Sequence, residues 1–205
     1  MCNIIFICNI GYDLGEVTSN ANFFNLMAYD LHGPWEPQSA DHHAPLGQRP
    51  TDGGNNIEAV VDYLLANAVP SEKINLGMPT YGRTWTLASD VVTPPCAANG
   101  AGDAGEITGE EGILGYNEIC KGIKAGAWTK VTDPTKTIGP YAYTDSDPKQ
   151  WVSFDDIETV ENKSRYVIQK KLGGAMVWDM AMDDFNNVCG DGENPLMMTI
   201  AKVVV

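Results

Sequence analysis

Apolar and polar positions alternate legibly in several stretches of the chain, and each stretch predicts one element. In Phe23 to Asp30 a period of two sets Asn25, Met27 and Tyr29 on one face and Leu26 and Ala28 on the other, as in a buried strand. The Gly33-Pro34 pair then turns the chain. Ile57, Val60, Val61, Leu64, Leu65 and Ala68 recur at helical spacing, with Asn55 or Asn56 as N-cap and Pro70 closing the helix. Ile74, Leu76 and Met78 alternate toward Pro79 and predict a second buried strand. Strand, helix and strand with short connections make a parallel βαβ unit.

From Trp151 the same grammar returns. Asp155 or Asp156 caps a helix carrying Ile157, Val160, Val167 and Ile168, which ends near Leu172 with Gly173-Gly174 behind it. Ala175 to Met180 is the third strand, with Met176 and Trp178 on one face. Asn194-Pro195 opens a last helix with Leu196, Ile200 and Val203. Between the two α/β stretches, Arg83 to Tyr143 is rich in Gly, Pro, Thr and Ala and predicts an insertion of short strands and turns, with a short helix at Tyr116 to Ile123. The expected total is three core strands and about three helices plus the insertion. A closed (β/α)₈ barrel needs eight strands and typically ~250 residues, so three parallel strands leave two open edges.

Composition narrows the partners. A chain of 205 residues with 43% hydrophobic and 20% charged residues can bury a core without staples. A net charge of -14 argues against nucleic acid and anionic membranes, whose recognition needs clustered Lys and Arg. No apolar run approaches the ~20 residues of a membrane span. Met1 to Ile10 has no basic start, long apolar centre or small-residue cleavage site, and reads as an unrelated leader, not a signal peptide.

Candidate chemistry is sparse by pattern alone. Cysteines at 2, 8, 96, 120 and 189 form no Cys-x-x-Cys or Cys/His cluster. Adjacent His42 and His43 point to different sides of most backbones with no third ligand near, so a polar loop outweighs a metal site. Asn162-Lys163-Ser164 is a glycosylation triplet, but it falls mid-helix. Tyr29 and Asp30 at a strand tip sit where α/β barrels keep their chemistry. A core Tyr followed by an Asp turn former accounts for the same two residues.

The wording of these stretches adds a resemblance. Asn25-Leu26-Met27-Ala28-Tyr29-Asp30 with His32-Gly33 and Trp35 resembles the sixth-strand motif of glycoside hydrolase family 18, the chitinases. Gly77-Met78-Pro79-Thr80-Tyr81-Gly82-Arg83 looks like that family's seventh-strand end. Gly173-Gly174-Ala175-Met176-Val177-Trp178, then Asp183-Asp184-Phe185, looks like its eighth strand and following loop. The resemblance runs from roughly Tyr12 to the C-terminus and lacks the family's Asp-x-x-Asp-x-Asp-x-Glu, whose Glu is the general acid.

The resemblance implies an α/β fold, a partial (β/α)₈ TIM barrel of about strands 6 to 8 with an α+β insertion. The expected divisions are a leader at 1–11, barrel units at 12–82, the insertion at 83–143, and a last barrel unit with C-terminal helix at 144–205. Tyr29 and Asp30 match catalytic positions. Met27, Trp35, Tyr81, Arg83, Tyr141, Met176 and Trp178 match substrate-binding positions, and Glu111 a residue near the cleft. Cys120 and Cys189 match a disulfide, which implies an oxidising, extracellular setting, and leave Cys96 free or paired with the leader. The implied partner is chitin or chito-oligosaccharide, with no metal and no cofactor. Three readings stay open: a chitinase-type glycosidase portion, a non-catalytic chitin-binding lectin-like protein, or a fragment without independent function.

Overall fold

A computed structural model describes residues 11–49 and 55–205. The segment expected as a leader lies, but for Gly11, outside the described residues. The first element lying wholly within the described residues is a helix, α1 (Leu14–Asn20), which the hydrophobic pattern did not announce because none of its residues is buried; Asp13 caps it by accepting from the Glu16 N–H at 2.9 Å.

A three-stranded parallel sheet joins β1 (Phe24–Leu26), β3 (Ile74–Pro79) and β10 (Gly174–Trp178), with β3 in the middle. Ile74, Leu76 and Met78 are fully buried, as their alternation predicts. The first strand is shorter than expected. Its ladder stops at Leu26, because the Ala28 N–H folds back onto the Leu26 carbonyl at 2.8 Å and the chain leaves the sheet. The last strand also stops early, at Trp178, leaving Met180 71% exposed.

Helices pack beside this sheet. α2 (Ile57–Ala66) buries Ile57, Val60, Val61 and Leu64 and is capped by Asn56, whose side chain accepts from the Ala59 N–H at 2.9 Å. It ends at Asn67 and a left-handed Ala68 (φ 62°), so Pro70 begins the following turn and does not close the helix. α4 (Ile157–Gln169) is capped by Asp156 and packs on α5 (Pro195–Val204). Ile168, expected on its apolar face, is 54% exposed, and the stop comes at a left-handed Lys171 (φ 54°) ahead of the glycine pair. Leu196 and Ile200 bury the inner face of α5.

The second sheet is antiparallel. β2 (Ser39–Ala40), β5 (Cys96–Ala101), β4 (Tyr81–Leu87), β9 (Gln150–Ser153), β8 (Tyr141–Tyr143) and β7 (Thr129–Val131) pair in that order, and β6 (Ile113–Gly115) pairs with β4. The expected short helix is α3 (Tyr116–Lys124). Pairing of Arg83 with Ser153 and of Ser153 with Tyr141, and of Trp85 with Trp151 and of Trp151 with Tyr143, puts these side chains on one face. The loop after β1 lies against that face: the Trp85 indole N–H donates to the Glu36 carbonyl at 3.3 Å, and the His43 N–H to Ser153 Oγ at 3.2 Å.

Candidate functional site

The site forms where the loop after β1 meets the ends of β3, β4 and β10. Asp30 takes a left-handed backbone (φ 59°), a conformation that Asp tolerates better than most residues, and this turns its carboxylate toward β4. There the period of two sets Tyr81 and Arg83 side by side. Asp30 Oδ1 accepts from the Tyr81 hydroxyl at 2.9 Å and from Arg83 Nε at 2.7 Å, while Oδ2 accepts from Arg83 Nη2 at 2.8 Å. This two-point guanidinium clamp is the strongest kind of carboxylate pairing. Burial alone would raise the Asp30 pKa. The Arg83 hydrogen bonds, helped by His43, outweigh it and hold the carboxyl below its ordinary range.

Tyr29 lies beside this pair, 6% exposed, with its ring edge-on to Tyr81 at 6.1 Å and its hydroxyl 4.0 Å from the Met176 sulfur. Gly77 makes this approach possible. A Cβ there would meet the Leu26 carbonyl oxygen, the Met176 methyl and the Tyr29 ring together. Burial, then the Asp30 charge, pushes the Tyr29 hydroxyl up to about 12, so it keeps its proton at neutral pH. Alternation along β10 carries Trp178 on the Met176 face, and its ring is 55% exposed at the strand end. The Trp35 ring covers the Arg83 guanidinium at 5.3 Å and remains half exposed.

Met27 is 62% exposed and borders, with Tyr29, Asp30, Tyr12, Phe23 and Leu26, an open groove of about 560 Å³ beside β1. Tyr141 shares the sheet face of Arg83 two strands away, where its ring stacks on Trp151 at 5.4 Å. Among the acids of the insertion, Glu110 acts on Arg83 by its charge, and Glu111 next to it is exposed.

Sequence reasoning gave the histidine pair no part in the site. The two rings do point to different sides. His42 packs edge-on to Tyr141 and Trp151, each at 6.1 Å, and His43 lies 5.3 Å from the Tyr81 ring. His43 Nδ1 stands 3.7 Å from Asp30 Oδ1, within ion-pair range but outside a hydrogen bond. Behind them, Lys163 of α4 is buried in an ion pair with Asp155 and donates to the Ala44 carbonyl at 2.6 Å, so one helix pins the histidine loop. Only Asp156 of the Asp155-Asp156 pair is therefore a cap. In the glycosylation triplet Ser164 is buried, and the Asn162 amide donates to the Lys136 carbonyl at 2.9 Å.

Asp183 and Asp184, which the resemblance sets in the loop after the eighth strand, are both fully buried. Asp183 accepts from the Met197 N–H at the start of α5, and Asp184 from the Val188 and Cys189 N–H groups, each at 2.9 Å. That second loop leads Cys189 to Cys120 of α3, and the two form the expected disulfide with α-carbons 5.8 Å apart. Cys96 is buried and free among the described residues, where no helix is long and apolar enough to cross a membrane.

Comparison with known proteins agrees with this architecture. The model of the family "Glycosyl hydrolases family 18" matches residues 2–183, a span that takes in most of the segment expected as an unrelated leader. Chitotriosidase-1 of Mus musculus is 38% identical over 202 residues, covering 96% of this chain and 41% of that protein. Among solved structures, catalytic domain 2 of the Ostrinia furnacalis Group II chitinase, bound to a chitin oligosaccharide, superposes with a TM-score of 0.89 at 35% identity, over 97% of this chain and 52% of that one. Human YKL-39, described as a pseudo-chitinase with retained chitooligosaccharide binding, gives a TM-score of 0.86 at 35% identity, over 94% of this chain and 53% of that one. The chain thus spans about half the length of the relatives it matches. Three parallel strands at the end of a TIM-barrel order, the antiparallel insertion and this span of matched sequence together make the chain a member of glycosyl hydrolases family 18.

Proposed function

We propose that this chain forms the sugar-holding wall of a chitin-active domain, and that on its own it binds chito-oligosaccharides without cleaving them. The observation that carries the reading is the Tyr29, Asp30, Tyr81 and Arg83 cluster at the strand ends, flanked by the exposed rings of Trp35 and Trp178. In this reading the protonated Tyr29 hydroxyl donates to the 2-acetamido carbonyl of an N-acetylglucosamine unit. Asp30, kept ionised, faces the positive charge that develops when that carbonyl attacks the anomeric carbon. The Arg83 N–H groups not spent on Asp30 reach sugar hydroxyls, Trp178 gives the pyranose ring an apolar floor, and Met27, Met176, Tyr81, Tyr141 and Trp35 line the remaining wall.

Hydrolysis needs one more group. The leaving oxygen must take a proton from a positioned acid of suitable pKa, and an Asp30 locked to Arg83 has no proton to give. The family's Asp-x-x-Asp-x-Asp-x-Glu is not in the sequence. The pseudo-chitinase description of YKL-39 supports a binding role without turnover as a stable outcome for such a site. The same reading takes 12–82 and 144–205 as barrel units around an 83–143 insertion, and its disulfide fits an oxidising, extracellular setting.

The test has two arms. Calorimetric titration with chitotetraose should show binding that Trp178→Ala weakens, while a fluorogenic chitobiose or chitotriose substrate should stay at the buffer rate. Absence of a general acid typically removes ~10²–10⁴-fold of the rate, before any loss of positioning. Turnover well above buffer that Tyr29→Phe abolishes would reveal a substitute acid and overturn the non-catalytic reading. No binding at millimolar oligosaccharide would remove the binding reading itself.

A further inference from the structure

We infer that His43 is a positioning residue for Asp30, its Nδ1–H holding the buried side of the carboxylate so that Oδ2 stays turned to the cleft. The inference rests on the sugar-site reading for what Asp30 does, but its geometry stands apart from it. His43 is 1% exposed, and neither ring nitrogen has a hydrogen-bond partner among the described residues. A neutral imidazole carries one N–H, and a buried donor without an acceptor is costly. The acceptor facing Nδ1 is Asp30 Oδ1 at 3.7 Å, so a shift of about 0.7 Å closes a hydrogen bond. The opposite tautomer would set the Nδ1 lone pair against a carboxylate oxygen. Only Nδ1–H gives attraction.

The ring cannot drift to another partner. Its backbone N–H is spent on Ser153 Oγ and its carbonyl accepts from the Leu31 N–H at 2.8 Å. The ring itself lies against Tyr81. The charged and titratable groups around it are Asp30 on the loop after β1, Arg83 and Tyr81 on β4, Asp155 after β9, and neighbouring His42. Burial holds His43 below its ordinary pKa despite the two carboxylates, which keeps it neutral. Asp30 Oδ1 then has Tyr81, Arg83 and His43 around it, and Oδ2, among the described residues, has Arg83 alone.

The first measurement is the His43 tautomer in the unaltered chain, read from long-range ¹H–¹⁵N correlations at pH 7. Protonation at Nδ1 is expected, and an Nε2–H tautomer or a charged ring overturns the inference without any variant. The second compares His43→Asn, whose amide nitrogen falls near Nδ1, with His43→Gln, whose amide reaches toward Nε2. The Asp30 carboxyl carbon resonance should move in His43→Gln and stay in His43→Asn. Chitotetraose affinity should fall about tenfold in His43→Gln alone, as for the loss of one hydrogen bond to a charged group, with matched thermal midpoints. Equal carbon shifts and affinities in the two variants overturn the positioning role. If the carbon resonance separates them while the unaltered chain binds no sugar, the role stands and the sugar-site reading falls.

Discussion

At the scale of single residues the least visible feature was burial of polar groups. His42 and His43 read as loop residues because each is polar and no patterned segment surrounds them. They are buried because the loop after β1 lies on the antiparallel sheet, against Trp151 and Tyr141 more than ninety positions further along, a contact that local pattern does not encode. Burial first, then the Arg49 charge, pushes the His42 pKa down to about 3 from 6.5. The unfolded chain therefore takes up a proton as pH falls through about 6.5, while the folded chain holds off until about 3. Stability is lost across that window and is flat above it. Thermal midpoints should fall from about pH 7 to about pH 4, and His42→Gln should flatten part of the slope. His43, shifted in the same direction, leaves a remainder. Asp30 works in a lower window: held below its ordinary 3.8, it contributes stability above that value and loses it only at more acid pH. An unchanged pH slope in His42→Gln would mean that this ring is not buried neutral. Tyr29, Asp30, Arg83 and Trp178 were easier to find, since strand-end position and motif wording pointed to them. The left-handed turn at Asp30 that aims its carboxylate was not legible.

At the scale of elements, the strands and helices with a full apolar period were legible and those without one were not. β3 and α2 match their patterns because every periodic position from Ile74 to Met78, and from Ile57 to Leu64, meets the core. α1 was missed because none of its residues is buried. α4 was found but its inner face misjudged: Lys163, Ser164 and Tyr166 are inside while Ile168 is out. Lys163 is tolerated there because Asp155 and the Ala44 carbonyl receive its charge. Lys163→Met should therefore cost about 3–5 kcal/mol in denaturant unfolding by stranding Asp155, and adding Asp155→Leu should recover most of it. The single variant should also weaken sugar binding, since the Ala44 carbonyl it releases anchors the histidine loop. A single variant as stable as the unaltered chain would refute the buried-pair argument. The disulfide between α3 and the loop after β10 closes 69 residues of sequence, worth about 4 kcal/mol in the chain-entropy description. Cys120→Ser with Cys189→Ser should lower the denaturation midpoint accordingly, and an unchanged midpoint would show that the contacts around the bridge hold those elements without it.

At the scale of the whole molecule, β1 and β10 each pair only with β3 among the described residues, and beside β1 runs the groove bordered by Tyr12, Phe23 and Met27, each more than half exposed. Unpaired strand groups beside exposed aromatic surface form a template for association. The net charge of -14 opposes it by repulsion, and that repulsion is screened by salt over about 10 Å at 0.1 M. The chain should therefore self-associate increasingly as salt is raised, and bind an apolar dye in its folded state. Replacing Tyr12 and Phe23 with Ser should cut dye binding and salt-induced association together. The thermal midpoint should hardly move, because both side chains are more than half exposed and little of their burial is lost. Ultracentrifugation over a salt series reads this directly. A chain that stays monomeric at high salt, with dye binding untouched by the two substitutions, would mean that the groove is covered in solution.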